Sequence, residues 1–171
     1  MPFDFGRKVR PGLDRKKMRM RTVLIPLDGS SFAEEALDLG LDHCSKGDQL
    51  VLVQCIDLNL LYAHSGEFSP QTIRELEQAD QKRCRDYLDS QVARLNERGF
   101  CARARVALGE PVDGILRAAK EENASLILLT THGRGGLARL LLGSIAEGVL
   151  RRALCPVLIV PSSARGALAR P

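Results

Sequence analysis

The sequence predicts an α/β fold: a single-domain, five-stranded parallel sheet with helices on both faces. Three observations predict it. Strand-like and helix-like segments alternate five times with connections of ordinary length, as parallel strands joined by crossover helices do. The inner strand candidates are continuous apolar runs, the pattern of strands covered on both faces. The chain's 171 residues suffice for one filled core and are few for two.

Thr22 to Leu27 (TVLIPL) reads as a short buried strand ended by the turn residues Asp28, Gly29 and Ser30. Ser30 or Ser31 is the expected N-cap of the next helix, with Glu34 placed three residues after Ser31 as a capping box. Ala33, Ala36, Leu37, Leu41 and Cys44 recur at helical spacing, so this helix is expected to run to about Gly47. Gln49 to Asp57 (QLVLVQCID) is a second buried strand. Residues 58–69 lose periodicity and read as a loop over the C-terminal edge of the sheet. A long helix then runs from Ser69 or Pro70 to Arg98, with Ile73, Leu76, Cys84, Tyr87, Leu88, Val92 and Leu95 on one stripe and Gly99 as its terminator.

Cys101 to Ala107 alternates apolar residues with arginine, as an outer strand with a more exposed face does. Pro111 suits the first turn of a helix through about Glu122 whose inward residues are Val112, Ile115, Leu116 and Ala119. Ser125 to Leu129 is the next buried strand. After a glycine-rich loop, a helix is expected from Ser144 to about Leu154, and Pro156 to Val160 (PVLIV) closes the pattern as a short strand. The domain is thus expected over residues 21–161, preceded by a basic, disordered extension (1–20) and followed by a flexible tail (162–171).

Charge is unevenly distributed. The formal net charge is +4, but eight basic residues from Arg7 to Arg21 precede the first strand, and Arg165 and Arg170 lie in the tail. Without these ten, and without Asp4 and Asp14, 15 basic residues face 19 acidic ones, so the body is mildly acidic at about −4. The basic arm has no repeated motif and no aromatic residue beyond Phe3 and Phe5, which argues against nucleic acid as its partner. The chain contains no apolar run of membrane-spanning length and no signal-peptide pattern, so a cytoplasmic location and no membrane partner are expected. Five widely separated cysteines without a C-x-x-C fit reduced thiols. Cys55 and Cys155 lie beside apolar strand residues, where cysteine behaves as a small hydrophobe. His43 beside Cys44 has no matching pair to complete a metal site.

The stretch TTHGRGGLARLLLGS, Thr130 to Ser144, follows the apolar run Leu126 to Leu129 and leads into a helix. Strand, glycine-rich loop and helix N-terminus together form a phosphate cradle: glycine lets the backbone approach an anion, and the unpaired N–H groups of the first helical turn, with the helix dipole, favour negative charge. In parallel α/β sheets ligands bind beyond the C-terminal ends of strands where the chain order reverses. Asp28 after the first strand and Thr130 onward after the fourth share that edge. His132 has no nucleophile or carboxylate spaced to make it a general acid or base, so no catalytic residue is assigned. Gly143 can equally be read as a helix-packing glycine, Ser144 as an N-cap, Asp28 as a turn aspartate, and Arg134 and Arg139 as solvent-facing.

The stretch TTHGRGGLARLLLGSIAEGVLRRALCPVLIVP closely resembles the C-terminal signature of the universal stress protein family, and LIPLDGSSFAEEAL resembles that family's first strand and turn. The resemblance covers about residues 21 to 161. It implies a Rossmann-like sheet of the adenine nucleotide alpha hydrolase-like type, homodimerisation through the last strand (here 156–160), and membership of either an ATP-binding or a non-binding group. The binding group carries G-x2-G-x9-G-[ST]; here Gly133, Gly143 and Ser144 match, and Thr130 stands in place of the first glycine. By the same resemblance Asp28 lies near the ribose, the phosphates or their Mg2+ or Mn2+, and the backbone around Pro26 and Cys55 flanks the adenine. Thr130, Thr131, His132, Gly133, Arg134, Gly135 and Gly136 line the phosphates, and Ser144, Ile145 and Ala146 offer helix N-terminal donors.

The reading that follows is a stress-response or regulatory module that binds ATP, ADP or AMP with little or no turnover. Two alternatives stand beside it. One is a stress dimer that binds no nucleotide and acts through protein partners, motivated by Thr130; the other is a slow ATPase, for which fold alone is weak support.

Overall fold

The computed structural model describes residues 20–57, 69–131 and 143–161. The arm, the tail and the loop over 58–68 lie outside them. Strand β1 (Thr22–Pro26) leads into helix α1 (Ser31–Gly40) and a 3-10 turn (Leu41–His43). There follow β2 (Gln49–Ile56), α2 (Pro70–Glu97), β3 (Cys101–Leu108), α3 (Pro111–Glu121), β4 (Leu126–Thr131), α4 (Ser144–Arg152) and β5 (Val157–Pro161). Among the described residues the strands form one five-stranded sheet in the order β3-β2-β1-β4-β5, every pairing parallel. The order reverses between β1 and β4, which places the switch point at the centre of the sheet.

Period-two alternation along the strands divides the core into two layers. Val23, Ile25, Leu50, Leu52 and Leu128 pack beneath Ala33 and Leu37 of α1 and Leu88 and Leu95 of α2. Leu24, Val51, Val53, Ile127 and Leu129 point to the opposite face, against Val112, Ile115 and Ala118 of α3 and Ala146 and Val149 of α4. Each fully buried leucine or isoleucine contributes about 2 kcal/mol relative to exposure. A one-residue slip of a central strand would exchange its two sets of side chains between layers already filled, so register is strongly specified. The outer strand β3 pairs only with β2 among the described residues; its arginines on the α3 side, Arg103 and Arg105, pair with Glu122 and, for Arg105, also Glu121.

Several expectations need correction. Helix α1 stops at Gly40, and Cys44 is extended rather than helical. The connection is held instead by Asp48, whose carboxylate accepts from the Ser45 amide at 2.9 Å and from the Arg21 guanidinium at 2.7 Å. Side-chain to backbone bonding of this kind competes with helix continuation. Arg21 therefore belongs to the folded body, not to the basic arm with which its charge was counted. The α1 cap is Ser30, which puts Ala33 at the third helical position and Glu34 one residue past the place a capping box requires.

On α2 the buried residues are Cys84, Leu88, Gln91 and Leu95, while Leu76, expected on the same stripe, is exposed. The reason is length: 28 residues of helix span about 42 Å, against roughly 26 Å for an eight-residue strand, so the helix outruns the sheet it covers. Strand β4 continues through Thr130 and Thr131, which pair with Val160 and Pro161. Helix α4 ends at Arg152, and Leu154, expected within it, is 95% exposed.

Candidate functional site

A cleft of about 260 Å³ opens beyond the C-terminal ends of the central strands. Pro26, Leu27 and Asp28 wall it from β1 and the turn after it, Val53, Gln54 and Cys55 from β2, and Leu129 from β4. Helices supply the rest: Ala33 of α1, Pro111 and Ile115 of α3, and Gly143 to Ala146 at the start of α4. The strand-order reversal creates this space, because the helices that follow β1 and β4 lie on opposite faces of the sheet.

The β1 end is organised by Asp28. Its Oδ1 accepts from the Ser30 amide at 3.0 Å and from the Ser30 hydroxyl at 2.6 Å, and Ser30 Oγ in turn accepts from the Ala33 amide at 3.2 Å. Gly29, between them, has φ +79°, where a side chain is strained. Asp28 thus does what a turn aspartate does and also lines the cleft.

The α4 end is different. Gly143 is the N-cap and supplies no side-chain cap, and among the described residues no side chain accepts from the first-turn amides. Ser144 is the first helical residue rather than the cap, so the reading of Ser144 as an N-cap is corrected. A Cβ built on Gly143 would meet nothing within 4 Å among the described residues, so no described element packs against that glycine. The packing glycine of α4 is Gly148, where a Cβ would lie 2.8 Å from Val112 Cγ2. The amides of Ser144, Ile145 and Ala146 therefore stand at the positive end of a nine-residue helix whose last turn carries Arg151 and Arg152, complementary to the opposite pole.

Between these ends the lining is largely apolar. Cys55 Sγ lies 3.6 Å from the Pro111 carbonyl oxygen, and burial pushes its thiol up to about 11, so it stays protonated and unreactive at neutral pH. A Cβ on Gly114 would sit 2.8 Å from that sulfur; the glycine lets α3 close onto β2 here.

The cleft brings together Pro26, Asp28, Cys55, Gly143, Ser144, Ile145 and Ala146, all named from sequence. Thr130 and Thr131 are the last residues of β4; apart from Asn123, no described non-glycine residue has a positive φ, so Thr130 occupies backbone that any residue adopts. His132, Gly133, Arg134, Gly135 and Gly136, and Arg139 with them, lie outside the described residues. Sequence reasoning missed Leu27, Ala33, Val53, Gln54, Pro111, Ile115 and Leu129 as site residues. Ile115 and Leu129 were read as core, which they also are; Gln54 carried a signal, as the polar residue interrupting the apolar run of β2. No group of three or more His, Cys, Asp or Glu among the described residues could hold a metal ion, and no described helix is long and apolar enough to cross a membrane.

The family model for the universal stress protein family matches residues 20–161. The chain belongs to the universal stress protein family. A universal stress protein of Synechocystis, Sll1388, is 33% identical over 147 residues, covering 81% of this chain and 96% of that one. Among solved structures, protein MJ0577, of Methanocaldococcus jannaschii, superposes with a TM-score of 0.69 at 25% identity, covering 82% and 95% of the two chains. Two further members share the fold: a universal stress protein in complex with cAMP (TM-score 0.57, 23% identity, 84% and 98% covered) and one from Arabidopsis thaliana with AMP bound (0.60, 18%, 87% and 96%). These establish the family and its Rossmann-like α/β sheet for the chain.

Proposed function

We propose that this universal stress protein binds ATP, or another adenine nucleotide, as a stress-response or regulatory module, and that occupancy acts through conformation or dimer contacts rather than turnover. The observation that carries the reading is the N-terminus of α4, without a side-chain cap among the described residues, opening on a largely apolar cleft at the strand-order reversal. Amides that no described side chain caps, at the positive end of a helix, suit phosphate, and the apolar walls suit a base. Two proteins of the same fold carry AMP and cAMP. At 18% and 23% identity they speak for the fold, so the weight rests on this chain's own cleft.

In this reading Ser144, Ile145 and Ala146 donate to phosphate oxygens, together with the glycine-rich segment Thr130 to Gly136. Asp28 faces the ribose or a Mg2+ or Mn2+ ion carried by the phosphates, and Pro26 and Cys55 flank the adenine through their backbone. The ion arrives with the nucleotide, since the described residues offer no cluster to hold one alone. Thr130 does not oppose binding by backbone strain, because it sits in regular strand.

Equilibrium titration with ATP and ADP, with and without Mg2+, tests the reading; saturable binding below millimolar nucleotide is expected, and its absence would sink the idea. Should Thr130→Gly gain affinity from an undetectable start, the alternative of a partner-binding dimer without nucleotide is favoured instead.

A second copy of the chain is the proposed partner at β5. Val157–Pro161 pairs only with β4 among the described residues, and Leu154 beside it is 95% exposed with Leu150 at 49%, a free edge flanked by apolar side chains. Light scattering at tens of micromolar should return the mass of a dimer.

A further inference from the structure

We infer that a groove between α3 and the α4–β5 connection docks an acidic amphipathic helix of a partner protein, independently of any nucleotide. The groove has a volume of about 660 Å³ and shares no lining residue with the cleft. Its floor is apolar: Ile127 at the start of β4 and Ala119 of α3 are buried, and Leu116 is half-buried. Leu154 stands at its lip, 95% exposed, and carries the apolar surface out into solvent, as interaction sites do.

Charge says what kind of partner fits. The ionised groups of the lining are Arg117, Lys120 and Arg152 against a single carboxylate, Asp113. Arg152 donates to Asp113 at 2.5 Å, and Arg117 donates to the Leu108 carbonyl, which leaves its charge uncancelled. Lys120 is exposed and has no ion pair among the described residues. The next acids on the chain, Glu121 and Glu122, are turned to Arg103 and Arg105 of β3. The rim is therefore positive on a body that is mildly acidic, and it attracts carboxylates while repelling basic segments. The chain's own segments outside the described residues do not match it. Residues 1–19, 132–142 and 162–171 are basic on balance, and 58–68 holds one acid, Glu67.

Shape narrows the partner further. Asp113, Leu116, Arg117 and Lys120 lie on one stripe of α3, two turns or about 10 Å long. A groove running beside a helix fits a second helix, whose apolar residues at three- and four-residue spacing fill the floor while flanking carboxylates meet the rim. No aromatic side chain lines the groove to stack on a base, which favours a protein segment over a nucleic acid strand.

The test titrates the full chain, without nucleotide, with a labelled helical peptide bearing leucines along one face and glutamates on the other. Its counterpart carries lysine for each glutamate. The acidic peptide should bind with a Kd of about 10–100 μM, about tenfold more tightly than the basic one, and more weakly as salt rises. Lys120→Glu should remove most of that preference, and Leu154→Ser should weaken the acidic peptide about fivefold. Both positions are exposed, and thermal melting checks that the variants fold. Equal affinity for the two peptides, unchanged affinity in both variants, or no saturation at millimolar acidic peptide would overturn the inference. Displacement of the bound peptide by a single-stranded oligonucleotide at lower concentration would overturn it in favour of nucleic acid. A fall from dimer to monomer mass in Lys120→Glu would overturn it in favour of a second copy. None of these outcomes bears on nucleotide binding, which is measured separately.

Discussion

Of the three helices that line the cleft, two follow the strands that flank the order reversal, and they begin in opposite ways. The start of α1 is closed by its own sequence: Asp28 holds Ser30, and Ser30 occupies the Ala33 amide. The start of α4 is left open by Gly143, which has no side chain to turn back on the helix. The other described helices are also closed, α2 by Ser69 accepting from Thr72 and α3 by Glu110 accepting from Asp113. A side-chain cap on a helix is worth about 1 kcal/mol. Forgoing it at a terminus that lines the cleft is what an anion site needs, because a protein cap would occupy the same donors as the ligand.

Four outcomes break or sharpen that contrast. The largest is Gly143→Asp, which gives α4 the kind of cap α1 has. The backbone there (φ −62°, ψ 154°) accepts a side chain, and a Cβ meets nothing among the described residues. ATP affinity should fall about a hundredfold while stability rises by up to ~1 kcal/mol, two readouts of opposite sign. Calorimetry and thermal melting check both, and unchanged ATP affinity would remove α4 from the site. Next, Gly148→Val drives a branched side chain into Val112 and should cost about 2 kcal/mol in denaturant unfolding. A neutral result would show that α4 is not seated against α3 as described.

Opening the closed terminus is a smaller change. Ser30→Ala removes the α1 cap and the hydroxyl held by Asp28, and should cost about 1 kcal/mol in urea unfolding; a loss below a few tenths would show the two termini energetically alike. Smallest is the tie between α1 and α2. Burial alone would push the Asp38 carboxyl up, but the Arg98 and Arg94 guanidiniums outweigh it and hold the group below the usual carboxylate range. A depressed folded-state pKa contributes stability above the unfolded value, near pH 4, and that contribution is lost as pH falls through the folded one. Asp38→Asn should therefore cost about 0.5 kcal/mol at pH 7, discounted for partial exposure, and the deficit should vanish in strong acid. A deficit independent of pH in unfolding titrations would assign the loss to packing.

The sheet was legible because each strand is a short apolar run set between turn residues, and the helices because their apolar periodicity is strong where they lie over strands. Legibility failed where tertiary geometry overrides a local pattern. Leu76 matches the stripe of α2, yet no strand lies under that turn. Gly40 ends α1 although the apolar spacing continues to Cys44, because Asp48 and Arg21, distant in sequence from each other, hold the connection that follows. Of the candidate site, Asp28 and the segment from Gly143 to Ala146 could be named from sequence. Val53 could not, since an apolar residue in a buried strand gives no sign that its strand ends beside a cleft, and Gln54 showed only as a polar break in the run of β2.

By itself, the sequence determined the alternation of strands and helices, the family, and the glycine-rich approach to a helix that suits an anion. These are local properties of composition, spacing and capping chemistry. The tertiary structure alone decided the order of the strands and hence the cleft, the pairing of Thr130 of β4 with Val160 of β5, and the space around Gly143 among the described residues. Those depend on contacts between segments far apart in sequence, such as Val23 with Leu126, where burial and crossover geometry, not local preference, set the outcome.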